Sequence, residues 1–153
     1  MTKPKPGDIF EIRTAKGNAY AQYTHEHAQL TSLIRVFEGL YPSLPTDWGK
    51  IVAGPVQFST FFPLKAAVQR GISKIVAHQP VAEPNKSFPI FRSGIVDPKT
   101  RKVAVWWLWD GENEWKIGNL TPEQRKLPIR EIWNDALLVQ RIEEGWRPEI
   151  DSR

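Results

Sequence analysis

The sequence predicts an α+β fold that is mainly β: an antiparallel, strongly twisted sheet or partly open barrel with one or two short helices and a C-terminal helix. Thirteen prolines and ten glycines punctuate the 153 residues at short intervals. The apolar runs between them have the length of strands, and helical periodicity is confined to short segments. The length fits one domain over residues 1–153, with residues 1–6 and 147–153 as loose tails.

The first elements are predicted to form a hairpin. Residues 8–13 and 18–24 have strand character, and they flank a turn at 14–17 in which Gly17 can take a positive φ. One face of this hairpin is apolar on both strands and is the expected core face. Its residues are Phe10, Ile12, Ala19, Ala21 and Tyr23.

Two more strands are predicted at residues 33–37 and 56–62. The stretch between them, residues 39–55, is rich in proline and glycine and is predicted to be a long irregular loop. Pro63 and Gly71 have the spacing that brackets a short helix. The apolar stripe of that helix contains Leu64, Ala67 and Val68.

The second half of the chain is predicted to hold further strands, at residues 72–77, 88–92, 103–109, 113–117 and 129–133. Asp110-Gly111 predicts a tight hairpin turn. Residues 121–124 have the spacing of a capping box and predict a helical turn. Asn134 as N-cap and Gly145 as C-terminal stop bracket the last helix. Its mostly apolar face contains Leu137, Leu138, Arg141 and Ile142.

Tryptophans dominate the hairpin of residues 103–117. Strand alternation places one apolar set on the predicted core face: Trp106, Leu108, Trp115 and Ile117. The other face combines Trp107 and Trp109 with charged side chains, and either a second protein layer covers it or it anchors a partner. The candidate partner-binding residues are Trp107, Trp109, Asp110, Glu112, Glu114 and, from the long loop, Trp48.

His25 and His27 have a metal-like spacing. Residues two apart on a strand face the same side, so both imidazoles can reach one ion, and His78 is the only other histidine. Because two ligands rarely make a site, these are weak candidates, and no metal or cofactor is predicted. The chain has no cysteine and no nucleophile-elbow, P-loop or dinucleotide-binding motif, so no catalytic residue and no enzyme is predicted.

The net charge of +4 arises in residues 1–75, because residues 76–153 are neutral overall. The densest positive group is small and consists of Lys99, Arg101 and Lys102. Scattered charge of this kind disfavours nucleic acid as a partner. No apolar run has the length of a signal peptide or a membrane span, so the expected location is the cytoplasm.

Residues 7–12 (Gly-Asp-Ile-Phe-Glu-Ile) and 17–21 (Gly-Asn-Ala-Tyr-Ala) resemble the opening hairpin of the immunity protein 26 family, and residues 58–64 resemble a later strand of it. These mostly β bacterial proteins are associated with polymorphic toxin systems, in which an immunity protein is encoded beside its toxin. The resemblance implies a non-catalytic protein that binds and neutralises a cognate toxin. The alternatives are a β-rich nucleic-acid-binding module and a metal enzyme that uses His25 and His27.

Overall fold

Two open antiparallel sheets form the framework of the protein in the computed structural model, which describes residues 3–153. The larger sheet has five strands in the order β4-β3-β2-β1-β5, and the smaller has three in the order β6-β7-β8. The mainly β class and the C-terminal helix are therefore confirmed. Within residues 3–153, no helix combines the length and apolar character needed to cross a bilayer.

The five-stranded sheet contains β1 (Asp8–Thr14), β2 (Gly17–His27), β3 (Thr31–Phe37), β4 (Val56–Phe62) and β5 (Lys74–His78). The predicted first hairpin is confirmed, with Phe10 opposite Ala21 and Ile12 opposite Ala19. Gly17 has a φ of 128°, which a residue with a side chain rarely adopts.

The three-stranded sheet contains β6 (Phe91–Ser93), β7 (Trp106–Trp109) and β8 (Glu114–Gly118). Strand β7 is shorter than the predicted strand 103–109. The reason is that Val103 pairs with Val96 in an isolated antiparallel bridge, which closes a separate turn over residues 97–102.

Within residues 3–153, three α-helices accompany the sheets: α1 (Trp48–Val52), α2 (Leu64–Gln69) and α3 (Asp135–Glu144). Helix α1 lies inside the stretch predicted to be an irregular loop. The Asp47 side chain caps α1 by accepting from the Lys50 amide, and a helix this short has no apolar periodicity to reveal it. Helix α3 begins and ends as predicted, because Asn134 caps the Leu137 amide and Gly145 is left-handed.

One face of the five-stranded sheet packs against α2, α3 and two tryptophans. Phe58 contacts Trp133 and Trp146, with ring centroids 5.1 and 5.7 Å away. The predicted core face of the first hairpin belongs entirely to this cluster, which also includes Ile34, Val36, Phe62, Leu64, Leu138 and Ile142.

The opposite face of the same sheet carries two further apolar clusters. One lies beside α1 and consists of Ile9, Tyr20, Phe37, Ile51 and Val52. The other consists of Leu33, Phe61, Phe91 and Trp109. Because Leu33 and Phe61 belong to the five-stranded sheet and the other two to the three-stranded sheet, this second cluster is the contact between the sheets.

Residues 128–133, here named the strap, join the two sheets through backbone pairing. Ile132 bridges Phe61 of β4, and Ile129 bridges Arg92 of β6, both in parallel. The Trp133 amide donates to the Phe61 carbonyl at 2.9 Å, and the Arg130 amide donates to the Arg92 carbonyl at 3.0 Å. The prediction of an ordinary strand at 129–133 is therefore wrong, since successive parts of the strap pair with different sheets.

The segment 147–153 is packed, so the prediction of a loose tail there is also wrong. Pro148–Ile150 form a 3₁₀ turn, and the side chain of Arg153 pairs with Asp151 and Glu131. Burial raises the pKa of Asp151, but the hydrogen bonds and charge of Arg153 outweigh that effect and bring it to about 2. These charges anchor a polar segment that contains few apolar residues of its own.

Of the other predicted tail, residues 1–6, the first two lie outside the described residues. Pro4 is buried, and the Lys5 amide donates to the Asp8 carboxylate at 3.0 Å. The described part of this segment is therefore held against the start of β1.

Candidate partner-binding surface

A bulge divides the tryptophans of the β7–β8 hairpin among different environments. Trp107 pairs with Lys116 but Trp106 pairs with Gly118, so the register shifts between the two neighbouring tryptophans. Trp109 is only 4% exposed and belongs to the cluster between the sheets. Its predicted role as a partner-binding anchor is wrong, because the five-stranded sheet covers it.

The predicted core face of the hairpin is only partly correct. Trp106 and Leu108 are buried, and the guanidinium of the fully buried Arg92 lies 4.7 Å from the Trp106 ring centroid. Trp115, on the same face, is 39% exposed. The prediction failed for Trp115 because it lies on β8, the outer strand of the small sheet, whose residues 114–116 are all exposed.

Trp107 is 37% exposed and forms one wall of an open groove of about 540 Å³. This Trp107 groove is lined by residues 93–95, residues 104–105, Trp107 and Glu114. Ile95 is 89% exposed and Val105 is 41% exposed. Their side chains add aliphatic surface to the indole, so the groove presents an apolar centre to solvent.

Gly94 allows the two walls of the groove to approach each other. A Cβ atom at this position would lie 2.3 Å from Cγ1 of Val103 and 3.1 Å from the carbonyl oxygen of Val105. Any other residue would push the two segments apart.

The sequence prediction missed two residues of the groove, Ile95 and Val105. For Ile95, the only signal in the sequence was an apolar residue next to a glycine in a stretch rich in turn residues.

Asp110 fixes the tip of the hairpin. One of its carboxylate oxygens accepts from the Asn113 amide at 2.8 Å and from the Glu112 amide at 2.9 Å. These two bonds lower the pKa of Asp110, although slight burial opposes them. The predicted binding residue Asp110 thus has a local structural role, whereas Glu112 is exposed beside it.

Glu114 is tied to the strap. It pairs with Arg130 at 3.4 Å, and the Arg130 guanidinium lies over the Trp109 ring, 4.2 Å from its centroid. This stack holds the turn end of the hairpin against the strap, so Trp107, two residues away on β7, projects from a well-supported strand.

Trp48 lies in a different part of the molecule from the Trp107 groove. It packs edge-on against Tyr20, with ring centroids 5.0 Å apart, at the margin of the cluster beside α1. It is half-buried and does not line the groove. The structure therefore does not bring Trp48 together with the hairpin candidates.

The ring nitrogens of His25 and His27 are engaged by different groups. His25 Nε2 donates to the Lys86 carbonyl at 2.7 Å, and its Nδ1 accepts from the Thr24 hydroxyl at 3.0 Å. His27 Nε2 donates to the Gly111 carbonyl at 2.9 Å, and its Nδ1 accepts from two amides of the next turn, those of Gln29 and Leu30. A metal bound by both rings would have to displace these bonds.

The third histidine, His78, does not join His25 and His27, because it contacts a carboxylate instead. His78 is the last residue of β5, and its Nδ1 lies 2.8 Å from the carboxylate of Asp8, the first residue of β1. Residues 3–153 contain no group of three or more potential metal ligands.

Comparison of the chain with protein-family models, with curated proteins and with solved structures gives no match.

Proposed function

We propose that this chain is a non-catalytic protein that binds and neutralises a bacterial toxin through protein–protein contact, in the manner of an immunity protein. The observation that carries the proposal is the Trp107 groove. It combines the exposed Trp107, the exposed aliphatic side chains of Ile95 and Val105, and the carboxylate of Glu114. Aromatic anchors with polar surroundings are typical of the centres of protein interfaces.

The support beneath the groove favours a binding role. Trp109 is fixed in the cluster between the sheets, and Arg130 links it to Glu114. A rigid platform loses little conformational entropy when a partner binds, so more of the contact energy contributes to affinity. Complete burial of an aliphatic side chain such as Ile95 contributes on the order of 1.5–3 kcal/mol.

The toxin as partner is supported by the resemblance to immunity protein 26. The resembling residues 7–12, 17–21 and 58–64 lie mainly in β1, β2 and β4. They therefore concern the sheet framework, whereas the groove belongs to the smaller sheet and its flanking segments. On this proposal, the framework holds the fold and the smaller sheet recognises the toxin.

Growth rescue tests the proposed function. A tagged copy of the chain would be used to isolate binding proteins from its native cell, and each would be expressed alone in a bacterial host. We expect one of them to arrest growth and co-expression of this chain to restore it. Trp107→Ala should abolish the rescue, because it removes the central anchor.

Trp115→Ala is the matched control, since Trp115 lies on the same hairpin with nearly the same exposure but on the other face. It should leave the rescue intact. If no bound protein is toxic, or if the chain never restores growth, toxin neutralisation is wrong.

A further inference from the structure

Strand β8 is an open edge of the three-stranded sheet. It pairs with β7 on one side, and within residues 3–153 no strand pairs with its other side. Residues 112–116 are all exposed, so solvent reaches the hairpin tip and the first half of β8. The opposite edge of the same sheet differs, because the strap bridges β6 there. Strand β8 therefore has backbone groups that a further strand can reach.

The hairpin register determines which backbone groups of β8 face that edge. The Asp110 amide donates to the Asn113 carbonyl across the turn. Along an antiparallel ladder, pairs that exchange hydrogen bonds alternate with pairs that do not. Two positions further along the register, Leu108 and Trp115 form the next hydrogen-bonded pair. Trp115 therefore directs its backbone N–H and C=O groups toward β7.

The neighbours of Trp115, Glu114 and Lys116, direct their backbone N–H and C=O groups to the open edge. In the part of the chain that the structure describes, no loop and no other strand bonds to these groups. They are two donors and two acceptors at the spacing of a strand. An added antiparallel strand can bond to all of them, which is how a sheet edge binds a polypeptide.

The sequence Glu114-Trp115-Lys116 is complementary to itself in antiparallel orientation. When two copies pair about a two-fold axis at Trp115, Glu114 of each copy lies opposite Lys116 of the other. Both of these positions have outward backbone groups, so the oppositely charged residues also form the hydrogen-bonded pairs. The two Trp115 side chains then form the non-hydrogen-bonded pair, in which facing side chains are closest.

We propose that the β8 edge binds a second copy of this chain and forms a two-fold symmetric homodimer. The two three-stranded sheets would become one continuous sheet through the paired β8 strands. Because each copy uses this edge once, the pairing ends at two copies. The inference does not depend on toxin binding, since it concerns the edge of the sheet and not the Trp107 groove.

The charges of β8 are available for this pairing. Glu114 contacts Arg130 through one carboxylate oxygen, and its side chain is 53% exposed. None of the ion pairs among residues 3–153 involves the exposed Lys116. An ammonium group without a partner and a half-exposed carboxylate would therefore meet in each of the two cross-strand pairs.

The outer side of β5, the other sheet edge that the strap leaves open, lacks this complementarity. A two-fold pairing about Val76, the middle residue of β5, places Lys74 opposite His78. These side chains have no opposite charges to pair. Self-association is therefore expected at β8 and not at β5.

The dimer would present two Trp107 grooves on one side. Trp107 shares a face of the hairpin with Lys116, and a two-fold axis perpendicular to the sheet keeps corresponding faces together. Between the two Trp107 positions lie three strand spacings, about 14 Å across the sheet. The paired Trp115 side chains would lie on the opposite face.

Sedimentation equilibrium of the full chain tests the proposal. The edge is short and the interface is small, so we expect a dimer whose dissociation constant lies in the micromolar range. Glu114→Lys and Lys116→Glu should each weaken it about tenfold, because each places like charges opposite each other in both cross-strand pairs. An equimolar mixture of the two variants should dimerise again, since every cross-strand pair between them joins opposite charges.

Recovery in the mixture separates edge pairing from damage to the fold, which mixing cannot repair. Lys74→Glu is the matched control, because it makes the same charge change at the exposed start of β5, and it should leave the dimer unchanged. Hydrogen exchange followed by NMR gives a second measurement. The amides of Glu114 and Lys116 should exchange more slowly as protein concentration rises, whereas that of Lys74 should not change.

Four results would overturn the inference. They are a monomer at every concentration up to about 1 mM, a dimer that both single charge variants retain, single variants that stay monomeric when mixed, and dimerisation without slower exchange of the Glu114 and Lys116 amides. Slower exchange that appears only after another protein is added would also overturn it and would show that the edge binds a foreign strand.

Discussion

Two arginines, Arg35 and Arg92, have side chains inside the protein. The Arg35 guanidinium donates to the carbonyls of Asn85 and Ser87. That of Arg92 donates to the carbonyl of Pro148. Burial lowers the pKa of each arginine to about 10, so both remain protonated at neutral pH. Each arginine therefore uses its charged N–H donors to hold a segment outside the strands: residues 85–87 for Arg35, and the turn at Pro148 for Arg92.

His25 belongs to the same residue-scale arrangement as Arg35, because it donates to Lys86 between the two carbonyls that Arg35 holds. Burial is the main cause that lowers the pKa of His25; the Lys86 bond opposes it and the nearby Arg35 charge adds to it. The folded pKa therefore lies below the value of about 6.5 for an unfolded histidine. Stability should be unaffected above that value and should fall as pH decreases through it.

A glutamine at position 25 tests the pH effect. We expect His25→Gln to make the free energy of unfolding less dependent on pH between 7.5 and 5, since the amide can donate to Lys86 but cannot titrate. Urea unfolding at both pH values measures this. The same pH dependence in both proteins would show that His25 is not responsible.

At the scale of elements, the β7–β8 hairpin separates a core tryptophan from an exposed one two residues away. Trp109→Ala should lower the free energy of unfolding by about 3–5 kcal/mol, because it opens a cavity among Phe61, Phe88 and Phe91. Trp107→Ala should lower it by less than about 1 kcal/mol. Urea unfolding of the two variants measures the difference, and equal losses would contradict this division of the hairpin.

Local sequence signals correctly predicted the helix and the hairpin that caps and strand alternation determine. The caps Asn134 and Gly145 defined α3, and the alternation of Phe10 and Ile12 identified the core face of the first hairpin. The candidate site was predicted less well. Alternation gave the relative faces of Trp107 and Trp115, but burial depends on which parts of each face another element covers. The approach of residues 94–95 to Val105 depends on tertiary packing that no local pattern encodes.

At the scale of the whole molecule, the strap and the apolar cluster around Trp109 join the two sheets. The Trp133 and Arg130 amides donate to one sheet each although neither lies in a strand. We therefore expect both amides to exchange hydrogen as slowly as amides inside β3. Hydrogen exchange followed by NMR measures this, and exchange as fast as that of the exposed 97–102 turn would mean that the strap opens independently.

The strap also affects how the protein is made. Its pairing partners Phe61 and Arg92 leave the ribosome well before residues 128–133 do, so the two sheets cannot be fastened together until most of the chain has been translated. Until then Phe61, Phe91 and Trp109 lack part of their covering, and apolar surface that stays exposed in this way favours aggregation of an incomplete chain.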